Sequence, residues 1–230
     1  MVRKTSASSG SIGRSTNRSL VSSPEVTHAF CRAVSHAGNM TSLIDSADSL
    51  LCVIDVQPGF LDKLPAVEAE ETAERVRWLV QVAAALGVPV VVTEEEPARN
   101  GKTVQAILDA VPVGAPRFDK RVFGLADQAD IFDSVGELDR RTAVLCGLET
   151  DVCVAHSALG LLDLGFRVVV VADAVASPGT GQEFGLARLR DAGVTLIGVK
   201  GLAYEWLRTV ARTDALDEIL GAGTPPGVIL

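Results

Sequence analysis

Ser49-Leu50-Leu51-Cys52-Val53-Ile54-Asp55 is a short apolar run that ends on a carboxylic acid. It is too short for a buried helix and rich in branched and apolar residues, so it reads as a strand covered on both faces. Downstream, from Val67 to Leu86, apolar residues recur at helical spacing (Ala69, Ala73, Val76, Leu79, Val80, Ala83, Ala84), and Gly87 supplies a stop. Val88–Thr93 is a second strand, Gly101–Ala110 a short helix and Ala115–Asp119 a third strand. Thr142–Gly147 is a fourth strand, followed by a helix over Val152–Leu164 that Gly165 stops. Arg167–Ala172 is a fifth strand, Gly181–Ala192 a helix and Val194–Gly198 a sixth strand, with closing helices over 200–220 around Trp206. Strands alternating with helices at this spacing predict the α/β class: a three-layer αβα fold with a doubly wound parallel sheet of about six strands.

Composition agrees with one domain of this kind. Of 230 residues, 47% are hydrophobic and 22% charged, the balance of a soluble globular chain. A core of this size needs no covalent staples, and four scattered cysteines make no disulfide framework. A net charge of −8 argues against nucleic acid or an anionic membrane as the main partner. No apolar run is long enough for a transmembrane helix.

Residues 1–40 are different material. They hold nine serines and five basic residues against the single acid Glu25, with no apolar period and no apolar run of a secretory signal. Three readings stand: a disordered extension, a start codon assigned too early with Met40 as the true first residue, or a transit peptide. The globular domain is expected over 41–230.

In a parallel sheet, ligands sit outside the carboxyl ends of the strands. Asp55 ends the first strand there, Asp119 and Lys120 the third, Gly147 the fourth and Asp173 the fifth. Cys153 follows the fourth strand at the start of a helix, where the macrodipole lowers a thiol pKa and free N–H groups can hold an oxyanion. Each residue has a plainer alternative. Cys153 can be a buried structural thiol, Asp55 a cap and Lys120 a solvated cation among Arg117, Asp119 and Arg121. Asp173 fits best as a cap of the turn that follows it. His156, three residues after Cys153, could pair with it along the helix. Fingerprints for dinucleotides, P-loop phosphates and serine nucleophiles are missing, as are C-x-x-C and histidine clusters that would hold zinc.

Two of these segments carry a resemblance. Val53-Ile54-Asp55-Val56-Gln57-Pro58-Gly59-Phe60 and Gly147-Leu148-Glu149-Thr150-Asp151-Val152-Cys153-Val154 are similar to the two main motifs of the isochorismatase-like cysteine hydrolases. The resemblance runs from about 49 to 220 and continues through Leu161–Val168 and Val171–Ser177. Thr93-Glu94 and Lys120-Arg121-Val122-Phe123 resemble the isochorismatase-domain-containing subgroup, whose members largely lack an assigned substrate.

The resemblance implies a catalytic triad of Asp55, Lys120 and Cys153, and a non-proline cis peptide at Leu148–Glu149 that turns the Glu149 N–H toward the point reached by the Cys153 N–H. It implies a covalent thioester route for cleaving an amide or related C–N bond of a small molecule. Gln57, Phe60, Glu94 and Phe123 are the candidate substrate-binding residues at the mouth. Metal-binding relatives of the nicotinamidase type place histidines near the second strand. Thr93-Glu94-Glu95-Glu96-Pro97 has none, so neither metal nor other cofactor is expected. Vinyl-ether hydrolysis, a non-catalytic interaction role and a redox-sensing Cys153 are the alternatives. The resemblance further implies a homo-oligomer, and the free thiols suit a reducing, cytoplasmic compartment.

Overall fold

The computed structural model describes residues 42–221, 224–225 and 227–228. The expected N-terminal extension, 1–40, lies outside the described residues. Six strands are present: β1 (Ser49–Ile54), β2 (Val90–Glu95), β3 (Arg117–Lys120), β4 (Thr142–Leu148), β5 (Arg167–Ala176) and β6 (Thr195–Ile197). They form one sheet in the order β3-β2-β1-β4-β5-β6, with every neighbouring pair parallel. The chain builds outward from β1 to β3, then returns to the other side of β1 to lay down β4. The reversal leaves a crevice at the carboxyl ends of β1 and β4.

The longer helices are α1 (Ala66–Ala85), α2 (Ala129–Glu137), α3 (Ala155–Asp163), α4 (Gly181–Asp191), α5 (Val199–Leu207) and α6 (Val210–Leu220). Helices α1, α5 and α6 pack together over one face, and α3 packs with α4 and β5 over the other. This is the expected αβα sandwich. All residues of β1 and β4 are buried, which is why these strands read as unbroken apolar runs. Alternate residues serve opposite faces. Leu51, Val53, Val144 and Cys146 join Val76, Leu79, Val80 and Ala83 of α1 in one apolar cluster.

Two polar contacts tie α5 to the sheet, one near each end of the helix. Trp206, fully buried, donates its indole N–H to Ser49 Oγ at 3.1 Å. Asp173 accepts the Val199 N–H at 2.8 Å and so caps α5 instead of the turn after it. That turn does not exist, because β5 continues to Ala176. Three other elements differ from the sequence reading. Strand β2 runs on to Glu95. The helix expected over Gly101–Ala110 is only one turn, Gln105–Leu108, preceded by another at Pro97–Asn100. Helix α2 was not anticipated.

Gly147 holds the two central strands together. Its φ is +118°, and a Cβ added there would stand 1.9 Å from the Ile54 carbonyl oxygen. Only glycine lets β4 approach β1 this closely just before the strands deliver their functional residues.

Candidate active site

Four consecutive strands of the sheet each bring one side chain to the crevice: Lys120 from β3, Glu95 from β2, Asp55 after β1 and Cys153 after β4. Asp55 has a φ of 49°, a left-handed backbone that costs a side-chain-bearing residue about 1 kcal/mol. Its N–H is held by the Thr93 carbonyl at 3.1 Å, and the Thr93 hydroxyl donates to its Oδ1 at 2.9 Å. Lys120 Nζ lies 2.6 Å from Asp55 Oδ2, and neither side chain has any solvent exposure. That contact is an ion pair set off the hydrogen-bond direction, so Oδ2 receives no hydrogen bond of ordinary geometry. The ammonium also donates to the Val122 carbonyl at 3.1 Å.

Cys153 sits in a π-type turn, Thr150–Val154, that leads into α3. Such one-turn widenings of a helix recur at functional sites. Side chains from beyond β5 anchor the turn. Ser177 Oγ donates to Asp151 Oδ1 at 2.6 Å, and Thr150 Oγ1 donates to Gln182 Oε1 at 2.5 Å. The thiol is 1% exposed and donates to Glu95 Oε2 at 3.1 Å. Its sulfur also lies within 4.8 Å of an Asp55 carboxylate oxygen.

Electrostatics in this cluster oppose the sequence expectation for the thiol. Burial pushes Cys153 well above its ordinary range, and the Asp55 charge pushes it further. The Lys120 ammonium works the other way, while the hydrogen bond to Glu95 holds the proton on sulfur. Helix-end stabilisation of a resting thiolate is therefore outweighed by desolvation. Asp55 is pushed up by burial too, with Lys120, Thr93 and the thiol pulling it back. A thiol that keeps its proton, next to a carboxyl of raised basicity, is a pair arranged to exchange that proton when a third group arrives.

The bond Leu148–Glu149 is cis. Leu148 is buried, and the Glu149 carboxylate pairs with Lys63 at 2.8 Å. Lys63 Nζ stands 4.5 Å above the Phe60 ring, which is itself buried. Phe123 is half exposed and meets His156 edge-on, with centroids 5.6 Å apart. The thiol donates to Glu95, and His156 is engaged with Phe123.

Two residues expected at the mouth have other work. Gln57 is fully buried and locks the loop after β2. Its Nε2 donates to the carbonyls of Glu95 and Gly101, and its Oε1 accepts the Glu95 N–H. Glu94 is buried and accepts the Thr103 N–H at 2.8 Å. The acid that reaches the sulfur is its neighbour Glu95, which sequence reasoning passed over. A signal for it existed. Thr93 and Glu95 are two apart on a strand and so share a face, while Glu94 points the other way.

A sulfur from Cys153 and one oxygen each from Asp55 and Glu95 lie within 4.8 Å of one another, a set that could ligate a metal ion. The Lys120 ammonium at 2.6 Å from Asp55 already occupies the place of a cation there, so the donor set does not fit a resident metal. A cleft of about 470 Å³ opens beside Lys120 between Glu96–Arg99 and Asp119–Arg121.

The family model described as the isochorismatase domain matches residues 49–200. A secreted isochorismatase effector, Isc1, of Phytophthora sojae is 33% identical over 181 residues, covering 75% of this chain and 83% of that protein. Isochorismatase domain-containing protein 2 of Xenopus laevis is 32% identical over 163 residues, covering 69% and 76%. Among solved structures, YcaC from Pseudomonas aeruginosa, described with hexane-2,5-diol and covalent acrylamide, superposes with a TM-score of 0.73 at 25% identity. That match covers 80% of this chain and 93% of the other.

Proposed function

This chain belongs to the isochorismatase family, whose members are hydrolases, and on that premise we propose that it is a cysteine-dependent amidohydrolase of small molecules. The observation that supports this most is the buried cluster Lys120–Asp55–Cys153, with the ion pair at 2.6 Å and the sulfur within 4.8 Å of the same carboxyl.

Asp55 takes the Cys153 proton as the sulfur attacks the substrate carbonyl carbon. The transfer leaves the net charge of the buried cluster unchanged, so it avoids the penalty of ionising an isolated buried thiol. Lys120 holds Asp55 in place and faces the negative charge in both states. The C–S bond forms and the carbonyl π pair moves to oxygen. The N–H groups of Glu149 and Cys153 hold that oxyanion, each donor contributing on the order of 3 kcal/mol in comparable sites. When the C–N bond breaks, Asp55 gives its proton to the leaving nitrogen. Asp55 then deprotonates a water, the hydroxide adds to the acyl carbon, the C–S bond breaks, and protonated Asp55 returns the proton to sulfur. The products are a carboxylic acid and ammonia or an amine.

The test is a screen of primary and secondary amides with wild-type protein, followed by Cys153→Ala and Cys153→Ser on any amide that turns over. Loss of turnover in both, with an acyl adduct on wild-type Cys153 seen by mass spectrometry, is expected. Turnover retained in both overturns the covalent scheme.

We also propose a homo-oligomer in a reducing, cytoplasmic compartment. Three free thiols among the described residues, Cys52, Cys146 and Cys153, fit that setting. Sedimentation velocity and cell fractionation test the two statements. No helix among the described residues is long and apolar enough to cross a membrane.

A further inference from the structure

The reaction above leaves Glu95 without a role, although its carboxylate touches the attacking atom. Glu95 Oε2 accepts from the thiol at 3.1 Å and stands 3.9 Å from Lys120 Nζ. Its side chain is 17% exposed, against none for Asp55 and Lys120. It is therefore the member of this charged cluster that reaches solvent. Its backbone is pinned: the N–H donates to Gln57 at 2.8 Å, and the carbonyl accepts from Gln57 and Asn100. The carboxylate is thus carried on a rigid strand end and directed at the sulfur.

Charge in the cluster is unequal. Asp55 and Glu95 face one ammonium, Lys120, so one negative charge stays uncompensated where water is scarce. Of the rim cations, Lys63 is paired with Glu149 at 2.8 Å and Arg99 lies 3.8 Å from Glu96, while Arg121 lines the cleft beside Lys120. A carbonyl carbon in position for attack stands roughly 3–3.5 Å from the sulfur. Glu95 Oε2 is at that distance from the sulfur, so a carbonyl in position for attack stands beside this carboxylate.

We propose that Glu95 is a specificity-determining residue, selecting substrates that carry a cationic nitrogen (ammonium or guanidinium) beside the reacting carbonyl and repelling carboxylates. The inference rests on the reading of Cys153 as the attacking atom. It also separates the amide route from vinyl-ether hydrolysis of an isochorismate-like dianion, which this carboxylate repels.

The test uses charged thiol reagents and needs no turnover. 2-Aminoethyl methanethiosulfonate is a cation, and 2-sulfonatoethyl methanethiosulfonate is an anion. With either, the Cys153 thiolate attacks the sulfenyl sulfur, an S–S bond forms and methanesulfinate leaves with the bonding pair. Rates at Cys153 are read by peptide mass spectrometry, and the cation-to-anion ratio cancels the thiolate fraction. The wild-type ratio should exceed that of 2-mercaptoethanol. Glu95→Gln should lower it by about tenfold, and Glu95→Asp should keep most of it. A ratio unchanged in Glu95→Gln overturns the inference. Labelling of Cys52 and Cys146 reports unfolding; should Glu95→Gln unfold, Glu95→Met is the second charge-free variant, judged on the same ratio. Cys153-dependent amide turnover with a ratio indifferent to Glu95 sinks the inference alone. A Glu95-dependent ratio in a protein that hydrolyses no amide sinks the amide reading alone.

Discussion

Replacing Asp55 by Asn should make Cys153 more reactive toward a simple alkylating agent while stopping hydrolysis. Asp55 is the charge that, after burial, most strongly keeps the thiol protonated, and Lys120 opposes it. The substitution removes the carboxylate and leaves the ammonium. A single charge beside a titrating group changes the population of its ionised form by roughly 10- to 1000-fold. Thiolate nucleophilicity falls as basicity falls, with a Brønsted slope of about 0.4–0.5, so about half of that gain is lost in logarithmic terms. The net expectation is a roughly 3- to 30-fold faster reaction of Cys153 with iodoacetamide at neutral pH. Hydrolysis should fall by about 10²–10⁴-fold, because no group remains to carry the proton to the leaving nitrogen. The assay is peptide mass spectrometry of alkylated protein alongside amide turnover. Cys52 and Cys146, both fully buried, serve as folding controls. Alkylation that slows together with turnover would refute the assignment of Asp55 as a base working on a protonated thiol. Turnover that survives would make Asp55 a structural cap.

Other expectations are structural. Gly147→Ala combines a positive φ with a Cβ placed 1.9 Å from the Ile54 carbonyl, and should cost roughly 3–5 kcal/mol in urea unfolding. A variant as stable as wild type would mean that β1 and β4 can separate freely at that point. Alkaline pH should destabilise the fold through its strand cysteines. Burial pushes Cys52 up to about 12, whereas in the unfolded chain it titrates near its ordinary value of about 8.5. Its folded pKa is the higher one, so its contribution is complete below about pH 8.5 and is lost as pH rises toward 12. At about pH 10 the loss from Cys52 alone is about 2 kcal/mol, and Cys52→Ala should lose correspondingly less between neutral pH and pH 10. Parallel losses in the two proteins would contradict the assignment.

The strands nearest the site were the most legible. β1 and β4 bury both faces, so their apolar runs announce them, and the functional residues Asp55 and Cys153 follow directly. Helix α1 is long enough for its period to show. Lys120 was legible as a strand-end residue, but its catalytic role came only from the family resemblance, since β3 is an edge strand whose other residues are exposed or half-buried. Helix α2 was missed because it is only nine residues long and buries just Ile131 and Val135, although these two stand at helical spacing. Glu95 was passed over for a different reason. Glu94, Glu95 and Glu96 are chemically identical letters, and only the length of β2 decides which one faces the sulfur. The raised basicity of the thiol was hidden as well, because a helix-start position gives the dipole but not the degree of burial.

Strand order has one further consequence, for a chain emerging from the ribosome. Asp55, Glu95 and Lys120 are synthesised first, on β1, β2 and β3. Until β4 arrives, β1 is an open edge with unpaired backbone groups, a place where another nascent chain could stick. The strand that closes this edge is the same one that carries Cys153 in behind it. A half-made molecule therefore holds a base and an ammonium but no nucleophile, and the appearance of a reactive, Asp55-linked thiol is a direct signal that the vulnerable edge has been sealed.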